Sequence, residues 1–244
     1  MTPSILLATP VYGTINSASV AVGHHLIVAG MIRDTHFTLA QAVFGTDLVR
    51  ARSRLVRQFL HDGDWTHLLF WDADITLSSV AQAGSLLRRL VESGKPIIGC
   101  TYPMKRVHFD RLDKVDDGAD PESKVYEYPL HLAADTKVTD GCMAVEGVPL
   151  GFTLITRDTL ELMCAHYVDA LGFDDIVDGQ PYPTVALFQL ALIDRKLWGE
   201  DYSFCWRARQ IGIQPWLWVG PGCELGHVGT HLFQGRRDGF VRGE

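Results

Sequence analysis

The sequence predicts an α/β fold, a central, mostly parallel sheet flanked by helices with a smaller insert on one side. Three observations point there. Leu68-Leu69-Phe70-Trp71 shows no polar alternation, so it reads as a strand buried on both faces of a sheet. Similar short apolar runs alternate with helix-period segments through the first hundred residues, and repeated strand-helix-strand units imply right-handed crossovers between parallel strands. The 244 residues, 47% hydrophobic and 21% charged, can bury one sizeable core, and no low-complexity linker divides them. One domain over residues 1–244 is therefore expected.

Ile5-Leu6-Leu7-Ala8-Thr9 reads as the first strand, ended by Pro10, with Pro10-Val11-Tyr12-Gly13 as the loop beyond it. A helix is expected over Ser17 to Ile32, and a strand over Phe37 to Phe44 that Gly45 closes. Leu48 to Leu60 is the most amphipathic segment. Leu48, Ala51, Leu55, Val56, Phe59 and Leu60 form one stripe, Arg50, Arg54 and Arg57 recur on the other side, and Asp47 is placed to cap it. Arg57 reads as solvated surface, whereas Arg50 and Arg54, near the helix start, are candidates to pair with Asp72 or to meet a diphosphate bidentately. Thr76 or Ser78 is placed to cap a helix carrying Val80, Leu86, Leu87, Leu90 and Val91, which Gly94 closes, and Lys95 to Cys100 begins another core strand.

From Tyr102 to Val145 the pattern weakens. Lys105-Arg106-Val107-His108 is basic, Asp113 to Glu122 is acidic, and Val125 to Tyr128 reads as the start of a hairpin. Long polar connections of this kind often carry specificity. Val148 to Ile155 is the next apolar run, and Asp158 with Glu161 is placed as a capping pair for the helix after it. A helix opens at Gly199-Glu200-Asp201 and ends at Gly212, and Trp216-Leu217-Trp218-Val219 is the last strand.

Formal charge is −7 and the pI about 5.8, which argues against bulk nucleic-acid binding and against a polybasic membrane anchor. Five cysteines without Cys-x-x-Cys spacing suggest neither a zinc ribbon nor a full disulfide set, and read as reduced, buried small hydrophobes. No segment approaches the ~20 apolar residues of a membrane span, and Met1 to Ile5 lacks the basic and apolar regions of a signal peptide. A soluble, cytoplasmic protein is the expectation.

The chemistry gathers at two acidic clusters. Asp72 and Asp74 follow a buried strand, and open α/β sheets place ligands beyond the carboxyl ends of their strands. Two apart on an extended chain, the carboxylates point the same way and can share one hard cation. Glu200 and Asp201 open a helix, where capping needs only one of them. The first hundred residues read as a Rossmann-like nucleotide half, yet lack both Gly-x-Gly-x-x-Gly and the phosphate-loop Gly-Lys-Ser/Thr, which disfavours dinucleotide dehydrogenases and P-loop enzymes.

Phe70-Trp71-Asp72-Ala73-Asp74-Ile75, Gly199-Glu200-Asp201 and Gly226-His227-Val228-Gly229, in that order over nearly the whole chain, resemble the nucleotide-sugar glycosyltransferases of the GT-A fold. The resemblance implies a nucleotide-binding half at 1–103 and an acceptor-side half at 104–244. It places the nucleotide against Thr9, Pro10 and Tyr12, with Arg50, Arg54, Asp72 and Ala73, and the donor sugar against Gly151 and Asp72. Asp72, Asp74 and His227 would hold a divalent metal, with His231 the competitor of His227, and manganese suits this oxygen-imidazole set somewhat better than magnesium. Asp201 is the candidate base if configuration is inverted, with Glu200 orienting acceptor or sugar; if it is retained, either carboxylate would stabilise an oxocarbenium-like centre. Arg236, Arg237 and Arg242 would close over phosphates or fray as a tail.

The expected reaction is transfer of a sugar, a hexose first, from a UDP- or GDP-sugar donor to a hydroxyl on a glycan, protein or small molecule, in a bacterial or phage enzyme or one whose anchor was cut away. Two alternatives stand beside it. A nucleotidyltransferase acting on sugar phosphates should carry a basic, Gly-rich loop after the first strand, and Thr9 to Asn16 has no basic residue. A non-catalytic carbohydrate- or partner-binding domain would have less use for the full set of acidic and histidine motifs.

Overall fold

A computed structural model of the chain describes residues 3–11, 36–43, 47–114, 125–132, 136–229 and 232–236. The expected helix over Ser17 to Ile32, with Tyr12, Gly45, His231, Arg237, Arg242 and most of the acidic stretch from Asp113 to Glu122, lies outside these residues.

In chain order, β1 (Ser4–Val11) and β2 (His36–Val43) precede α1 (Leu48–His61), β3 (His67–Trp71), β4 (Ile75–Thr76), α2 (Val80–Glu92) and β5 (Ile97–Gly99). There follow β6 (His131–Leu132), β7 (Val138–Thr139), β8 (Cys142–Gly147), β9 (Phe152–Thr156), α3 (Arg157–Leu171), and the hairpins β10 (Gly172–Val177) with β11 (Gln180–Val185) and β12 (Leu192–Ile193) with β13 (Lys196–Leu197). The chain closes with α4 (Glu200–Gln210), β14 (Pro215–Trp218), β15 (Gly226–Val228) and β16 (Leu232–Gln234).

The main sheet runs β2-β1-β3-β9-β5-β14-β8-β6 in space, with β7 also pairing β8. β1 is parallel to β2 and β3, and β5 to β14, but β9 enters antiparallel between β3 and β5, and β8 antiparallel to β14. The mostly parallel sheet expected from the sequence is therefore mixed. An apolar run reports burial on both faces and says nothing of strand direction. β1 also continues through Pro10 to Val11, because its ladder to β3 ends at Ala8 and the missing proline N–H breaks no bond on that side.

Burial on both faces holds strand by strand. Leu6, Leu68, Phe70 and Ile97 pack with α1, α3 and α4 in one core, while Ile5, Leu7, Leu69, Trp71 and Ile98 pack with α2 in another. Asp47 caps α1 by accepting from the Arg50 backbone N–H. The other two caps shift by a few residues. Ser79 caps α2 while Thr76 pairs in a strand, and Thr156, rather than Asp158, caps α3. Gly94 and Gly212, at φ +62° and +82°, supply the left-handed residues that end α2 and α4. All five cysteines are free thiols, and only Cys164 is more than slightly exposed. Among the described residues no helix is long and apolar enough to cross a membrane.

Candidate functional site

The site lies at the carboxyl edge of β1, β3 and β5. Asp72 continues the alternation of Leu68 and Phe70, so its side chain leaves the strand toward the face covered by α1 and α4. The Ile75 N–H then bonds back to the Asp72 carbonyl at 3.1 Å, closing a turn through Ala73 and Asp74. The chain is not extended here. Asp72 and Asp74 consequently do not face one partner as a straight strand would require, and each meets a cation of its own.

Asp72 meets Arg52. The Arg52 Nη2 donates to Asp72 Oδ2 at 3.1 Å and lies 3.6 Å from Asp201 Oδ1, so one guanidinium holds carboxylates from two distant segments side by side. Arg52 is 0% exposed and its guanidinium lies over the Phe70 ring at 5.1 Å. The guanidinium expected from Arg50 or Arg54 thus comes from Arg52. Two residues along a helix is about 200°, so an arginine at 52 points opposite to its neighbours at 50 and 54. Arg54 instead binds Asp175 on β10 through both Nε and Nη2, and Arg50 lies exposed near Asp47 and Asp175. Arg57, expected on a solvated face, lies over the Tyr182 ring at 4.4 Å. Arg52 was detectable in the sequence, because it falls on the stripe of Leu48, Leu55, Val56 and Phe59 at spacings of four, three, four and seven.

Asp74 meets His227 and Lys105. β15 pairs with β4 so that His227 lies opposite Ile75, and the Val228 N–H donates to the Asp74 carbonyl at 2.7 Å. This register brings His227 Nε2 to 3.3 Å from Asp74 Oδ2, while Nδ1 bonds the Pro103 carbonyl at 2.8 Å. A carbonyl only accepts, so Nδ1 carries a proton; Nε2 donates to the carboxylate when the ring is protonated and turns its lone pair toward it when the ring is neutral. Two acceptors facing one another call for a cation, and Lys105 Nζ contacts the same Asp74 oxygen at 2.5 Å. Burial acts to raise the Asp74 carboxyl, but the hydrogen bonds from His227 and Lys105 outweigh it and bring the pKa to about 2.

The other two carboxyls shift upward. Burial raises Asp201 to about 7, against Arg52 and reinforced by the negative charges of Glu200 and Asp72. Burial likewise raises Asp72, opposed by Arg52. Arg52 stays charged, since Asp72 and Asp201 outweigh the burial that would lower it. Asp72 Oδ1, Asp201 Oδ1 and the Arg52 Nε and Nη1 atoms are buried without a hydrogen-bond partner. Such atoms are uncommon in folded proteins.

The remaining expected residues fall around this centre. Thr9 and Pro10 are buried at the end of β1, beside β3, and Ala73 forms the turn between the two aspartates. Gly151 accepts from the Asp72 backbone N–H at 2.9 Å and donates to Tyr102 Oη at 3.2 Å. A Cβ there would stand 2.3 Å from that oxygen, so the glycine is required by the approach of Tyr102. Tyr102 in turn lies edge-on to His227, with centroids 5.1 Å apart. Glu200 and Asp201 open α4, whose cap is Gly199 with no side-chain capping bond, so neither acid is used as the helix cap.

Among the described residues no group of three or more His, Cys, Asp and Glu side chains is close enough to hold a metal. Asp74 and His227 are brought together, while Asp72 is directed to Arg52. The pair fits a divalent ion all the same: a carboxylate oxygen and an imidazole nitrogen face one another, with the second ring nitrogen held by a carbonyl. Magnesium-like ions at phosphate sites are commonly held by one or two side chains plus phosphate oxygens rather than by an all-protein cage.

No family model and no curated protein sequence matches the chain. Among solved structures it is similar to A197 from STIV, with 16% identity and a TM-score of 0.50, covering 94% of this chain and 86% of that one, a likeness of fold. A more distant neighbour is a glycosyltransferase involved in the glycosylation of the major capsid of PBCV-1, with 10% identity and a TM-score of 0.34 over 69% of this chain and 68% of that one.

Proposed function

We propose that this protein is a glycosyltransferase that moves a sugar from a nucleotide diphosphate donor to a hydroxyl acceptor. One observation carries the reading: buried Arg52 holds Asp72 and Asp201 together with one oxygen of each lacking a hydrogen bond, beside the Asp74–His227 pair. Asp201, near pKa 7, takes the proton from the acceptor hydroxyl as its oxygen bonds to the anomeric carbon and the bond to the diphosphate breaks. A base of that pKa suits inversion of configuration. Glu200, on the same helical turn, orients the acceptor. The free oxygen of Asp72 accepts from a donor hydroxyl, and Arg52 keeps both carboxylates from moving. Thr9 and Pro10, one strand away, face the nucleotide, with Gly151 beside the sugar. Asp74 and His227 would hold manganese, or magnesium, which neutralises the charge developing on the leaving diphosphate.

Thermal shift of the purified protein with UDP- and GDP-sugars, with and without Mn2+, tests this. A donor that raises the melting temperature only with Mn2+, and not in Asp74→Ala, supports the reading. No response to any donor, with Asp74→Ala behaving as the wild type, ends it.

A further inference from the structure

Lys105 and the divalent ion proposed above claim the same atom. The Lys105 ammonium lies 2.5 Å from Asp74 Oδ2, the oxygen that His227 Nε2 approaches at 3.3 Å. Its position is held from two sides. The Lys105 stem runs past Gly229, where an added Cβ would be 3.1 Å from Lys105 Cδ, and the backbone just before it is anchored by Pro103 O to His227 and by Met104 N–H to the Glu127 carbonyl at 2.7 Å. An ammonium and a divalent cation at contact distance from one carboxylate oxygen repel each other, and each weakens the other's hold on it.

Resting on the reading of Asp74 and His227 as metal-holding residues, we infer that Lys105 is a tethered counter-cation that occupies the ion's place at Asp74. Ion binding must displace Lys105, and the segment that carries both Lys105 and the Pro103 carbonyl is coupled to that exchange. Lys105 thereby lowers the site's affinity for a divalent ion while keeping the carboxylate neutralised in its absence.

Calorimetric titration with Mn2+ alone, on the full chain and on Lys105→Met, Lys105→Gln, Lys105→Arg and Asp74→Asn variants, tests this. Partly exposed ion pairs are weak, so the neutral variants should bind Mn2+ roughly fivefold more tightly than the wild type. Lys105→Arg should remain near the wild type, and Asp74→Asn should lose binding. Equal affinity in wild type and both neutral variants, with binding still lost in Asp74→Asn, overturns the competition and leaves the metal reading standing. Asp74→Asn binding Mn2+ as the wild type does overturns both.

Discussion

One helix carries two arginine–carboxylate contacts of opposite character. On one face of α1, Arg54 meets Asp175 with two nitrogens on two oxygens, and the Asp175 carboxyl is lowered chiefly by that hydrogen bonding. On the opposite face, Arg52 reaches Asp72 and Asp201 through a single nitrogen, and burial pushes both carboxyls up. The first contact is a clamp that docks the β10–β11 hairpin, with donors matched to acceptors. The second has more negative charge than positive and leaves polar atoms without partners. The Arg54 pair is saturated, while the Arg52 contact, on the reading proposed above, keeps capacity in reserve, which raised carboxyl pKa values often accompany at functional sites.

The largest expected effect lies with Asp201. Asp201→Asn should slow sugar transfer about 10²- to 10⁴-fold while the donor-induced thermal shift persists. Transfer at the wild-type rate would remove the base from the mechanism and with it the functional half of the comparison. The same variant has a pH signature. The folded pKa of about 7 lies above the roughly 3.9 of an unfolded Asp, so the folded state binds more protons in between. The group's stabilising contribution is full below about pH 4 and is lost as pH rises through about 7. Wild type should therefore lose melting temperature relative to Asp201→Asn between about pH 4 and pH 7; parallel curves contradict the raised pKa. Asp74 runs the other way, its contribution present above about pH 4 and lost as pH falls through about 2.

Next comes Arg52→Met, which strands two recessed carboxylates and should cost about 3–5 kcal/mol in urea unfolding. Arg54→Ala should cost less, about 1.5–3 kcal/mol, because hydrogen bonds to a charged partner are lost at a half-buried position. Arg57→Ala, which removes a guanidinium from the Tyr182 ring, should cost about 0.5–1 kcal/mol. A larger loss for Arg54→Ala than for Arg52→Met would invert the comparison, making the hairpin clamp the more demanding of the two.

Local features were legible in the sequence. The Leu68–Trp71 run is a strand with all four side chains buried, and Asp47 caps the helix it precedes. The β10–β11 turn at Asp178-Gly179, both at positive φ, is likewise a two-residue signal that can be read without coordinates. Arg52 shows where local reading stops. Its place on the apolar stripe implies burial, but not which carboxylates surround it, so the arginines on the opposite face drew the assignment.

By itself the sequence determined the Leu68–Trp71 strand, the helix that begins at Leu48 and its Asp47 cap, and that Asp72, Asp74, Asp201 and His227 stand out from their surroundings, because periodicity, apolar runs and motif order are properties of neighbouring residues. Only the tertiary structure decided the pairing: β9 turned antiparallel between two parallel strands, Arg52 between Asp72 and Asp201, and His227 opposite Ile75 and against Asp74, 153 positions away. The physical reason is that a contact across such a separation is set by sheet register and by the turn at residues 72–75, which no run of adjacent side chains encodes.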